Sequence, residues 1–110
     1  MDTLIMIKSR IDVGTRVEEG LRLAAAMIGM DHIPRIVFID DGVECLLHGN
    51  SGGVILDYLS TISSLIGIHV LSESMIERGL KLEDLDLKPS PIDTEQLVEM
   101  MIECKIIIAF

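Results

Sequence analysis

The sequence predicts an α/β protein, a three-layer α/β/α sandwich with a mostly parallel sheet. Three observations predict it. Short, continuous apolar runs alternate with stretches whose apolar residues recur at helical spacing. The runs lack the in-out alternation of a half-exposed sheet, as strands buried on both faces should. No internal repeat or linker divides the 110 residues, so one domain spanning residues 1–110 is expected.

Thr3–Lys8 (TLIMIK) is the first strand, and Ser9–Gly14 a polar turn. From Val13 to Met30, apolar residues at Val13, Val17, Leu21, Ala24, Ala25 and Ile28 follow the helical period. Pro34 ends that helix, because the residue before a proline disfavours helical angles. Arg35–Ile39 (RIVFI) is short and β-branched, hence a strand. Asp40-Asp41-Gly42 turns the chain into a brief helix, Val43–Leu47. His48–Gly53, with three glycines, is a loop. Val54–Ile66 is a helix with Ile55, Leu59, Ile62 and Ile66 on one side, stopped by Gly67. Ile68–Leu71 is a third strand and Ser72–Arg78 a short helix. Lys81–Pro91, acidic and proline-containing, reads as an extended loop. Asp93 caps a helix from Thr94 to about Glu103, with Glu95 and Glu99 placed well for its dipole. Lys105–Phe110 (KIIIAF) closes the chain as a buried strand.

Composition narrows the function. Hydrophobic residues make up 49% of the chain and aromatics 3%, so the core is aliphatic. The net charge of -9 repels phosphate backbones and argues against nucleic acid. No apolar stretch reaches the roughly 18 residues of a membrane span, and no signal peptide is expected. Two cysteines, Cys45 and Cys104, are too few for a disulfide framework, and a reduced, cytoplasmic setting fits best. His32, His48 and His69 have no metal-ligand spacing, so no metal is expected. No cofactor is expected either. Ser9–Thr15 has one glycine where a flavin phosphate loop would have more, and only Tyr58, Phe38 and Phe110 could stack on a flavin.

In such sheets ligands bind beyond the carboxyl ends of the strands. Three loops qualify: Ser9–Thr15, Asp40–Gly42 and Leu71–Ser74. Ser72 and Ser74 could hold an anion with nearby amides, although capping by Ser72 is the preferred reading. Arg78 could bind an oxyanion or a partner's carboxylate, against the plainer role of a cation at a helix end. Asp40 and Asp41 read as a turn and cap rather than a Mg²⁺ pair. Cys45 faces acidic neighbours, which suppress a thiolate, and reads as a small buried hydrophobe, as does Cys104. Cys45 is still the better candidate thiol, since its loop lies on the crevice side. The methionines, among them Met27, Met30, Met75, Met100 and Met101, read as core filling. Ile106-Ile107-Ile108 without aromatic cover points to association with other chains.

Four blocks together resemble the DsrE/DsrF-like sulfur-relay family, nearest its TusC/DsrF branch. They are Gly14-Thr15 with Glu19-Gly20-Leu21, Phe38–Leu47, Val70–Leu80, and the terminal Lys105–Phe110. The resemblance implies a flavodoxin-like fold, homo-oligomers or hetero-oligomers with DsrE-like paralogues, and persulfide carriage. It places the sulfur-accepting cysteine eight residues before the glycine of Arg78-Gly79-Leu80, which is Leu71 here. Leucine has no sulfur to carry. A structural or partner-binding subunit is therefore the first expectation. A sulfurtransferase using Cys45 is the second, and a small-anion-binding flavodoxin-like protein the third.

Overall fold

The structure is a computed structural model and describes residues 2–12 and 14–110. The expected first helical position, Val13, lies outside the described residues. Strand β1 (Thr3–Ile7) leads through a turn to α1 (Arg16–Gly29) and β2 (Arg35–Phe38). A 3-10 segment over Asp40–Leu46 follows, then α2 (Gly53–Ile66), β3 (His69–Leu71) and α3 (Ser72–Glu77). A 3-10 turn at Leu82–Asp84 precedes β4 (Ser90–Ile92), α4 (Thr94–Glu103) and β5 (Ile106–Ala109).

The five strands form one parallel sheet in the order β4-β3-β2-β1-β5. The chain steps outward from β1 to β4, then returns past β1 to place β5 on the far edge. Reversing that direction with crossovers of one hand sends the returning helix across the opposite face. Accordingly α1 and α2 cover one face, where Val17, Leu21, Leu59 and Ile62 meet Ile5, Ile36 and Phe38. Helix α4 crosses the other face, where Leu97 and Cys104 meet Leu4, Val37, Ile39 and Ile92. Leu4 and Ile5, adjacent in β1, thus feed different cores, as the two-residue period of a strand requires.

Two expectations are corrected. The Lys81–Pro91 stretch is not simply a loop. Leu85 bridges Leu47, the Asp86 amide donates to the Leu46 carbonyl at 2.8 Å, and the chain then enters β4, the Ser90 amide donating to Ile68 at 2.9 Å. The strand was hidden because Ser90-Pro91-Ile92 lacks a β-branched run, and proline is confined to edges. The terminal strand is not buried. Ile106 and Ile107 are 52% and 42% exposed, because β5 is the other edge and, among the described residues, pairs only with β1. Gly67 does end α2, at φ 75°, and the Asp93 carboxylate accepts the Gln96 amide at 2.8 Å as a cap of α4.

Candidate functional site

The carboxyl ends of β1, β2 and β3 meet at one rim. After Phe38 the chain folds back over the end of β1: the Ile39 amide donates to the Ile7 carbonyl at 2.9 Å. Gly42 then lies against that same carbonyl so closely that a Cβ would collide with backbone, and backbone cannot yield as a flexible side chain can. Only glycine fits. Between them Asp40 takes φ +48°, an unusual conformation for an L-residue. Its amide is held by the buried Ser74 hydroxyl, which accepts at 2.9 Å.

Arg78 completes the brace. Its Nη2 donates to Asp41 Oδ1 at 2.8 Å and its Nη1 to the Ser74 carbonyl at 3.1 Å. The Asp41 hydrogen bond raises the Arg78 pKa above its ordinary value. Thus Asp40, Asp41, Ser74 and Arg78, four residues expected at a crevice, do come together, but they satisfy one another. They tie α3 to the turn after β2 and leave no unpaired cation among themselves for an anion.

Ser72 does not cap α3. It is already the first helical residue, and Leu71 stands at the cap position with no side-chain bond to offer. Glu73 serves a different helix from its own: its Oε2 accepts the Thr94 amide at 2.9 Å, at the start of α4. That bond is the main reason its pKa falls below the ordinary value. Leu71 ends β3 half-buried and packs against the second core.

Cys45 is 1% exposed, with its Sγ 3.7 Å from the Ser9 carbonyl, to which it donates. Burial, reinforced by the charges of Glu44 and Asp12, pushes its pKa up to about 12. Cys104 is buried in the second core. Near Cys45 opens a cavity of about 300 Å³ lined by Arg10, Ile11, Asp12, Glu44 and Asn50. Arg10 is already clasped by Asp12 at 3.1 and 2.9 Å. Residue-by-residue reading missed this cavity, and the polar turn at Ser9–Gly14 was its only trace. Among the described residues no cluster of His, Cys, Asp or Glu could hold a metal ion. No helix there is long and apolar enough to cross a membrane.

A family model described as the DsrE/DsrF-like family matches residues 1–110. The chain belongs to that family. Membership makes it, in general terms, a sulfur-relay-related protein of a family whose members typically act in complexes. The DsrE/DsrF-like fold is also seen in the solved structures it resembles. The ychN protein from E. coli superposes with a TM-score of 0.78 at 16% identity, covering 100% of both chains. MTH1491 from Methanobacterium thermoautotrophicum, titled a protein of unknown function, gives 0.71 at 15% identity over 100% of both. At such identities the likeness shows the fold alone, the flavodoxin-like architecture described above. No curated protein matches the sequence.

Proposed function

We propose that this DsrE/DsrF-like protein is a subunit of a cytoplasmic sulfur-relay assembly, nearest the TusC/DsrF branch, and that it works by binding partner subunits rather than by carrying sulfur. The observation that carries this reading is Leu71. It stands where the resemblance puts the sulfur-accepting cysteine, and its side chain packs into the second core. The remaining thiols do not replace it. Burial and the charges of Glu44 and Asp12 push the Cys45 pKa up to about 12, which disfavours the thiolate, and the thiolate is the nucleophile. A small-anion role has less support, because Ser74 and Arg78 already have partners within the chain.

The test is intact mass after incubation with a persulfide donor, with and without reductant, on wild type and Cys45→Ser. The subunit reading expects no reducible gain of sulfur in either. A reducible gain of one sulfur atom that vanishes in Cys45→Ser would overturn it and make the chain a carrier with a relocated thiol.

A further inference from the structure

The partner-binding reading leaves open which surface binds and what it binds. The Ile106 and Phe110 amides donate to Asp2 and Met6 at 2.9 and 2.8 Å, so these residues face β1. By the alternation of a parallel strand, Ile107 and Ala109 turn their amides and carbonyls away from β1, toward the open edge. Their side chains add apolar surface. Register pairs Ile106 with Thr3 and Ile107 with Leu4, so the two isoleucines lie on opposite faces of the sheet. One turn before β5, Ile102 of α4 is 78% exposed.

Two cations bracket this edge. Lys105 precedes the strand, and Arg16 reaches its far end, where Nη2 donates to the Ala109 carbonyl at 3.2 Å. Neither forms an ion pair among the described residues; the other arginines, Arg10, Arg22, Arg35 and Arg78, all do, whereas no lysine does. Of the nearby acids, Glu103 pairs with Arg35, while Glu19, bonded to the neutral Thr15 hydroxyl, keeps its charge. Asp2 accepts from Lys105 and Ile106 through its main-chain carbonyl. In a chain of net charge -9, the open edge thus carries a cation at each end.

That charge pattern separates the possible occupants. If two copies paired antiparallel along β5, Lys105 of each would sit beside Arg16 of the other, and like charges would face each other at both ends. A different chain with acids at the ends of an apolar strand would meet both cations favourably.

We propose that the outer edge of β5 docks an extended apolar segment, flanked by acidic residues, from a different protein chain, which adds as a sixth strand. The partner takes main-chain hydrogen bonds from Ile107 and Ala109, and its side chains cover Ile106 and Ile107 on the two faces. This inference rests on the partner-binding reading. The mass experiment above tests that reading independently.

The probes are two synthetic peptides of alternating valine and threonine, one with glutamates at both ends, the other with lysines. Each is titrated into the isotope-labelled full chain while amide NMR shifts and hydrogen exchange are followed. The acidic peptide is expected to shift and protect the Ile107 and Ala109 amides, and to bind about fivefold tighter than the basic one, the sum of a few surface charge pairs. Ile107→Pro removes the outward amide without breaking a bond to β1, and should abolish the effect. Ile107→Lys serves as the second variant if the proline disturbs folding. Equal binding of the two peptides, no shift with either, or shifts away from β5 would each overturn the proposal. So would a wild-type dimer by light scattering that Ile107→Lys dissolves, since that would make the occupant a second copy.

Discussion

The two edges of the sheet are built in opposite ways. At β4, Ser90 turns its amide inward to Ile68, so the next residue in the alternation faces outward, and that residue is Pro91, which has no amide to offer. Ile92 is sunk in the second core at 6% exposure. This edge is short, proline-blunted and anchored by packing. At β5 the outward amides are intact, two isoleucines are substantially exposed, and the strand holds on through its backbone bonds to β1. An open edge with apolar side chains is a site of association, and proteins that must stay separate usually disguise one. On the proposed reading, protecting one edge and not the other would direct association to a single side of the molecule.

The largest expected effect sharpens the anchoring half of this comparison. Ile92→Ala should cost about 2–4 kcal/mol of stability by urea unfolding, because a buried isoleucine leaves a cavity. Ile106→Ala, at a half-exposed position, should cost about 1 kcal/mol or less. Equal costs would mean that β5 is covered, and a cost for Ile106→Ala that grows with protein concentration would show that association covers it.

Next in size is the helix that joins the edges. Asp93→Ala removes the cap of α4 and should cost about 1 kcal/mol in the same assay. Glu73 supports the same helix start, with a pH signature. Its folded-state pKa lies below the ordinary value, so its contribution is present above the unfolded pKa and is lost as pH falls through the folded one. The stability gap between wild type and Glu73→Gln should therefore be open at pH 7 and close on acidification. A gap unchanged down to the acid transition would remove Glu73 from the account.

The smallest stability change belongs to Pro91→Val, within about 1 kcal/mol. Its effect should appear in association instead: an outward amide on β4 opens the second edge, and light scattering should show larger species at rising concentration. If the variant stays as wild type, proline is not what closes that edge.

The contrast between the edges was partly visible beforehand. Helix α2 could be placed from Ile55, Leu59, Ile62 and Ile66, and the α4 start from Asp93, because periodicity and capping are local. Strand β4 could not, since Ser90-Pro91-Ile92 becomes a strand only by pairing with β3. The candidate site was legible in membership and not in use. Asp40, Asp41, Ser74 and Arg78 were singled out as crevice residues, and they do converge. Their bonds span 34 residues for Asp40–Ser74 and 37 for Asp41–Arg78, which no local pattern encodes. The burial of Cys45 and the charge of Glu44 beside it were legible as brakes on its thiol, whereas Asp12, distant in the chain, was not.

The sequence by itself determined the α/β class, the helix periods and caps, the acidic surface, the aliphatic core and the leucine at position 71. These follow from composition and from interactions within a few residues of chain. Only the tertiary structure decided that Lys105–Phe110 is an exposed edge rather than a central strand. Five apolar residues in a row read alike in both places. Their exposure depends on strand order, and strand order depends on α4 carrying the chain back across the sheet.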